Sequence, residues 1–150
     1  MNLLKKIFGE KKSINIEGLG IFNARIRTKN PLKEIIWTSS IINRIEKEEL
    51  VVLLEGNVKG PKIKDCEEVI DIINSIESIR NDFISKINND YKLKKEFKNG
   101  IISDYHLEYI GPWLKDEHSY ELSLTNRQDS SIGLGAIWRN NGLEDIQIFK

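Results

Sequence analysis

The chain has 150 residues, 39% of them hydrophobic and 31% charged, a composition typical of one folded domain with a core of its own. Lysine and arginine together number 23, as do aspartate and glutamate, so the net charge is zero and no basic field gathers nucleic acid. The single cysteine, Cys66, excludes an intramolecular disulfide and a cysteine-rich zinc site.

Residues 1–12 have a pattern of their own, with apolar residues at positions 3, 4, 7 and 8 set around pairs of lysines. The apolar run is too short for a signal peptide. The pattern predicts a short basic amphipathic helix that either packs on the edge of the domain or touches anionic lipid. We treat residues 13–150 as a single domain and expect any membrane contact only through residues 1–12.

Alternating apolar and polar residues predict strands in both halves of the chain. Phe22, Ala24 and Ile26 alternate with polar side chains, and two nearby glycines indicate a tight turn before them. The sequence Asn140-Asn141-Gly142 is typical of a type I′ hairpin turn, in which both central residues have positive φ. Further strand character lies in residues 35–45, 50–55, 105–114, 120–125, 133–139 and 143–149.

The longest helical period lies between residue 61 and about residue 98. It predicts one amphipathic helix of roughly 25 residues, with a break allowed near Asn88-Asn89 and a continuation to Phe97. Pro61 suits the first turn, and Asp65 with Glu68 could instead form a capping box. Lysines near the far end complement the helix dipole, so we interpret them as a solvated helix end and not as a nucleic-acid or lipid patch.

These elements together predict an α+β fold. An antiparallel sheet with one apolar face must cover that face, and a long helix has one apolar stripe with which to do so. We therefore expect an antiparallel β-sheet of about six or seven strands packed against one long central α-helix. The order is β-rich, then α, then β-rich, after a short N-terminal helix.

Both histidines of the chain follow an aspartate by two residues, in Asp104-Tyr105-His106 and in Asp116-Glu117-His118. Residues i and i+2 of a strand face the same side, so each unit could present a carboxylate and an imidazole together. A turn at Gly111-Pro112 would place the units opposite each other. Asp104, His106, Asp116 and His118 would then form a Zn²⁺ or Mn²⁺ site.

The strand pattern around the histidines favours a different turn. The most polar stretch is residues 115–118, and a turn there keeps Trp113 and Leu114 within the strand. That turn places His106 far from His118. No other cluster of residues supports nucleophilic or acid–base chemistry, so we expect a protein that is not an enzyme and needs no cofactor.

A protein-binding surface is the alternative to a catalytic site. Acidic residues on the outward side of the first half of the helix, Glu67, Glu68 and Asp71, could steer a basic partner. Acidic residues at 46, 48 and 49 could extend this negative patch. Trp113 is a candidate hot spot if its indole lies on an exposed sheet face.

The order of these elements resembles a class of small bacterial domains. The residues that carry the resemblance are Ile16-Glu-Gly-Leu-Gly-Ile-Phe22, the Trp37 strand and the closing hairpin Gly133-Leu-Gly-Ala-Ile-Trp-Arg-Asn-Asn-Gly-Leu-Glu-Asp-Ile146. Several families of this kind occur beside polymorphic-toxin genes and are taken to be immunity proteins. Similar members carry Glu-His-Gly before the final hairpin, whereas here Glu117-His118 is followed by Ser119 and stands upstream.

The resemblance implies a cytoplasmic bacterial protein that inhibits a toxin by occupying part of its surface. No binding residue can be transferred from it. A protein-binding, immunity-type inhibitor is therefore the first functional hypothesis. A small metal-binding protein or metal-dependent enzyme that uses the two Asp-x-His units is the second.

Overall fold

The computed structural model describes residues 3–113 and 118–150, and within them the chain forms one nine-stranded sheet and four α-helices. The elements in the first half are α1 (Leu3–Phe8), β1 (Glu10–Ile16), β2 (Gly20–Ile26), β3 (Ile35–Ile42), β4 (Glu49–Asn57) and β5 (Gly60–Pro61). Three helices follow, α2 (Ile63–Asn74), α3 (Ile76–Asn89) and α4 (Tyr91–Glu96), and then a 3₁₀ turn, Ile102–Asp104. The chain closes with β6 (Tyr105–Pro112), β7 (Tyr120–Asn126), β8 (Gly133–Arg139) and β9 (Gly142–Phe149).

The sheet is mixed, so the predicted antiparallel sheet of six or seven strands is wrong. Its order is β1-β2-β3-β4-β6-β7-β8-β9, with the short β5 paired to β4. Strands β4 and β6 run parallel, with Val51 opposite Tyr109 and Val52 opposite Ile110. A parallel pair needs a crossover that returns the chain to the same end of the sheet, and helices α2 to α4 lie in that crossover. Two antiparallel halves are thus joined side by side.

The predicted single long helix is also wrong, because the chain leaves helical geometry twice. Ser75 ends α2, with its N–H bonded to the carbonyls of Asp71 and Ile72. Asp90 has extended backbone angles, and its side chain accepts the N–H of Leu93 at 2.9 Å to begin α4. The Asp90 side chain thus caps the helix that follows it, whereas Ser75 makes no side-chain cap at the start of α3. Neither break changes the spacing of the apolar residues.

The core lies between the helices and one face of the sheet. Its largest member is Trp37, which is fully buried and whose indole N–H donates to the carbonyl of Asn57 at 3.0 Å. The buried sheet residues include Phe22, Trp37, Leu50, Val52, Leu54, Leu107, Ile110, Leu122, Leu124 and Leu134. The buried helix residues include Cys66, Val69, Ile72, Ile73, Ile76, Ile79, Phe83 and Ile87.

The β8–β9 turn follows the sequence prediction closely. Arg139 pairs with Gly142 across a two-residue loop. Asn140 and Asn141 have φ of 51° and 58°, the left-handed values that a type I′ turn requires of both central residues. The predicted type I′ hairpin is therefore confirmed.

The N-terminal helix α1 leads directly into the sheet. Gly9 has φ 78° and donates its N–H to the carbonyl of Lys5 at 3.1 Å, a glycine C-cap that lets β1 begin at Glu10. Residues 10–12 therefore pair with β2, although the sequence grouped them with the N-terminal segment. Ile7 and Phe8 are exposed. Among the helices described, none combines the length and the apolar character that crossing a bilayer requires.

Candidate functional site

The two Asp-x-His units lie at opposite ends of the β6–β7 pair. His106 pairs with Thr125 near the start of β6, whereas His118 lies two residues before β7, beyond the pairing of Pro112 with Tyr120. At about 3.3 Å per strand residue, the two histidines are roughly 20 Å apart. Asp116 and most of the predicted turn lie outside the described residues. The structure therefore does not assemble the four-ligand site drawn from the sequence.

The first unit joins a network of ion pairs. Asp104 ends the 3₁₀ turn, and its carbonyl accepts the N–H of Arg127 at 2.8 Å. His106 Nδ1 lies 3.1 Å from Glu48 Oε2, and Arg127 pairs with the other oxygen of Glu48. His106 and Arg127 therefore both face Glu48, and Asp104 takes part through its main chain.

The acidic residues of the β3–β4 loop do not form the predicted negative patch. Glu46 is buried against Arg80, and Glu48 pairs with His106 and Arg127. Glu49 accepts a hydrogen bond from Ser40 at 2.6 Å. The charges of Glu46 and Glu48 are therefore paired within the protein, and only Glu49 remains exposed without a cationic partner among the described ion pairs.

The second histidine contacts helix α2 and forms what we call the acid–histidine cluster, Asp65, Glu68 and His118. His118 Nδ1 lies 3.1 Å from Glu68 Oε1 and 3.9 Å from Asp65 Oδ1. One ligand-capable atom from each of the three residues lies within 4.8 Å of the other two. Asp65 and Glu68 are three residues apart and therefore neighbours on the surface of α2. The chain just before β7 brings His118 to them.

Tyr120 supplies a hydroxyl to this cluster from the first position of β7. Its Oη lies 2.5 Å from Glu68 Oε2 and 3.3 Å from Asp65 Oδ1. Burial raises the pKa of the phenol, and the hydrogen bond to Glu68 raises it further. Burial also raises the pKa of Asp65. The phenol therefore stays protonated and donates its hydrogen to the nearer carboxylate.

A cleft of about 290 Å³ opens beside the cluster, between α2 and the β8–β9 turn. Glu68, His118 and Tyr120 line one side of it, and Lys64 Nζ lies 3.5 Å from His118 Nε2. The remaining lining residues are Asp71, Ile72, Ser75, Trp138, Asn140 and Asn141. Of the acidic residues predicted to bind a partner, Glu68 and Asp71 thus border this cleft, and Glu67 is exposed on the same helix.

Sequence reasoning missed Asp65 and Tyr120. Asp65 and Glu68 fit a capping box, but α2 begins after Lys62 with no side-chain cap, and both carboxylates contact Tyr120 instead. Tyr120 fits the alternating pattern of a core strand, and its ring is indeed buried, so the sequence pattern did not single out its hydroxyl. The spacing of Asp65 and Glu68 indicates that their carboxylates share one face of the helix. No local sequence pattern connects that face to residue 118.

Trp113 belongs to a different site, on the sheet face opposite the helices, which we call the outer face. It borders a groove of about 510 Å³ that also includes Glu121, Gly135, Asp145 and Phe149. The ring of Phe149 lies against Gly135, where a Cβ atom would be only 2.8 Å from it. A shift of register in the β8–β9 pair leaves Asp145 at φ 52° beside this groove. We call this site the aromatic groove.

The sites predicted from the sequence are therefore divided between the two faces of the sheet. The acid–histidine cluster lies on the helix side, and Trp113 lies on the outer face. The predicted partner surface of Glu67, Glu68, Asp71 and Trp113 is not one continuous patch. Comparisons with protein-family models, with curated proteins and with solved structures found no match to this chain.

Proposed function

We propose that this chain is a cytoplasmic, immunity-type protein-binding domain that inhibits a bacterial toxin by covering part of its surface with the outer face of its sheet. The observation that supports this proposal is the aromatic groove, in which Trp113 is half-buried and Phe149 is 49% exposed. Aromatic residues are enriched in protein interfaces, and the hot spots among them lie in pockets that the partner closes off from water.

The rest of the outer face also carries exposed apolar side chains. Ile21, Ile36 and Ile42 lie at the outward positions of β2 and β3 and are all exposed. Towards the centre, Val51 and Tyr109 are half-buried on the same face. Single exposed apolar residues are common on any surface, so these side chains add apolar area to the face, and the groove remains the feature on which the proposal rests.

The charges beside the groove favour a basic partner. Glu121 and Asp145 are exposed and line the groove. The nearest arginine on this face, Arg139, is paired with Glu144 at 3.0 Å. A partner that presents an apolar side chain within a basic surface would complement both features, and the carboxylates would speed its association.

The resemblance to immunity domains supports the proposed kind of function, although it assigns no binding residue. The closing hairpin that carries the resemblance, residues 133–146, forms β8 and the beginning of β9, and these strands supply much of the groove. The alternative function, a metal site formed by both Asp-x-His units, is not carried forward because the histidines lie at opposite ends of the β6–β7 pair.

Co-expression with the product of the neighbouring gene tests the proposal. We expect a stable complex with the wild-type chain, and we expect Phe149→Ala to weaken binding by at least about tenfold. Tyr91→Ala is the matched control, because Tyr91 is also an exposed aromatic residue but lies on α4, outside the groove, and is 86% exposed. The proposal fails if the neighbouring product forms no complex, or if Phe149→Ala and Tyr91→Ala bind alike.

A further inference from the structure

We propose that the acid–histidine cluster, Asp65, Glu68 and His118, binds one divalent transition-metal ion of the Zn²⁺ class. This site is separate from the aromatic groove and does not depend on the proposed partner. It differs from the site drawn from the sequence, since only His118 is common to both.

The distances within the cluster suit a shared ion. Two ligands that bind Zn²⁺ tetrahedrally at about 2.0–2.2 Å are themselves roughly 3.3–3.6 Å apart. The distances from His118 Nδ1 to Glu68 Oε1 and to Asp65 Oδ1, 3.1 and 3.9 Å, fall on either side of that range. Small rotations of the side chains would therefore bring all three atoms onto one ion.

The two groups that can donate a hydrogen within the cluster, Tyr120 Oη and His118 Nδ1, both lie closer to Glu68 than to Asp65. Tyr120 has one hydroxyl hydrogen, and the 2.5 Å contact directs it to Glu68. Asp65 is only 8% exposed, and its remaining neighbours in the cluster are Tyr120 Oη at 3.3 Å and His118 Nδ1 at 3.9 Å. Apart from the attraction of the Lys62 ammonium, this buried carboxylate has only long contacts, and a divalent cation would satisfy it together with Glu68.

Tyr120 is placed to orient a ligand and not to be one. It bonds to Glu68 Oε2, whereas Glu68 Oε1 is the oxygen that faces His118. One carboxylate oxygen is thus held by the phenol, and the other remains directed at the proposed ion. Hydrogen bonds of this kind, behind the ligands, are usual in metal sites.

The ligand set decides the class of ion. One imidazole nitrogen and two carboxylate oxygens suit Zn²⁺ or Mn²⁺, while Ca²⁺ takes six to eight oxygens and soft ions prefer sulfur. Three protein ligands leave a fourth position, as in zinc sites that bind water or a substrate. That position would open towards the cleft of about 290 Å³.

Lys64 provides a further test of the proposal, because its ammonium would compete with a bound metal ion. Its ammonium lies 3.5 Å from His118 Nε2, so it can donate to that nitrogen only while Nδ1 carries the imidazole hydrogen. An ion on Nδ1 moves this hydrogen to Nε2, and the exposed lysine must then turn away. Lys64→Gln removes a competing cation and should therefore strengthen metal binding.

The experiment is a calorimetric titration of the full chain with Zn²⁺ after treatment with a chelator, repeated with Co²⁺ and followed by visible absorption. We expect one equivalent to bind, and we expect Glu68→Gln or His118→Asn to weaken it by at least about tenfold. Asparagine tolerates positive φ, and His118 has φ 56°, so His118→Asn should preserve the fold. Circular dichroism checks this point.

His106→Ala is the matched control, because it removes the other imidazole and should leave the affinity unchanged. Lys64→Gln should raise the affinity. The proposal is overturned if the wild-type chain binds Zn²⁺ no more tightly than His118→Asn does. It is equally overturned if His106→Ala weakens binding as much as His118→Asn.

Discussion

Glu46 and Arg80 form an ion pair inside the protein, where the side chain of Glu46 is 2% exposed and that of Arg80 is 7% exposed. Glu46 Oε2 also accepts the N–H of Leu107 at 2.9 Å, and Arg80 Nε donates to the carbonyl of Tyr105 at 3.2 Å. The pair thus connects the β3–β4 loop, helix α3 and strand β6. It fixes the crossover helices beside the parallel pair of strands.

Replacing Glu46 by glutamine should destabilise the fold strongly. The change leaves the buried charge of Arg80 with the exposed Glu77 as its only carboxylate partner among the described ion pairs, and breaking a buried pair costs about 3–5 kcal/mol. Glu77→Gln is the matched control, because Glu77 contacts the same arginine but its side chain is 77% exposed. Its loss should cost less than about 1 kcal/mol. Urea unfolding of both variants measures the difference, and equal free energies of unfolding would contradict this role of Glu46.

Asp65 should make the stability of the protein fall as pH rises. Burial raises the pKa of Asp65 in the folded state, so between its unfolded value, about 3.9, and that higher value the folded chain holds more protons than the unfolded chain. Stability from this group is present below that window and is lost as pH rises through the folded pKa. Asp65→Asn cannot ionise and should remove this part of the pH dependence.

The measurement for Asp65 is the free energy of unfolding of both proteins at several pH values, in a chelator so that no metal contributes. Relative to Asp65→Asn, the wild-type chain should lose stability from pH 4 to pH 7. A difference between the two proteins that stays constant over this range would show that the carboxyl does not titrate as its burial implies.

Gly56 should be the least replaceable glycine of the β4–β5 pair. A Cβ atom at Gly56 would lie 2.1 Å from the carbonyl oxygen of Gly60 and 2.7 Å from Cα of Pro61, and both are backbone atoms. Gly56→Ala must therefore separate β5 from β4 and should cost at least about 2 kcal/mol. At Gly142 the nearest atom is 3.8 Å away, so Gly142→Ala should change stability by less than about 0.5 kcal/mol. Thermal unfolding compares them, and a tolerated Gly56→Ala would refute the close packing.

The fold could be predicted from the sequence where the information is local. Sequence patterns located β2 and the longer strands after it, though not the start of β1 or the two-residue β5, and Asn140-Asn141 has the positive φ values that its turn requires. The pairing of β4 with β6 is not local, because Val52 and Ile110 are brought together only after three helices. A break near Asn88-Asn89 was allowed by the sequence, and the chain does leave helical geometry at Asp90. The break at Ser75 was hidden because the spacing of the apolar residues continues across it.

The candidate site was harder to predict than the fold. The Asp-x-His pattern drew attention to residues that are close in sequence, and the structure places the two histidines at opposite ends of a strand pair. His118 instead contacts Glu68, fifty residues earlier, a contact that depends on how α2 lies across the sheet. Trp113 was a candidate because of its residue type, but its neighbour Phe149 comes from the last strand.

Hydroxyl-radical footprinting of the complex with the co-purifying partner tests the central claim most directly, because it reports the solvent exposure of individual aromatic side chains. The outer face is proposed as the binding surface, so oxidation of Trp113 and Phe149 should fall on complex formation. Oxidation of Tyr91, on α4, should not change. Protection of Tyr91 with Trp113 and Phe149 still oxidised as in the chain alone would place the partner on the helix side and contradict the account.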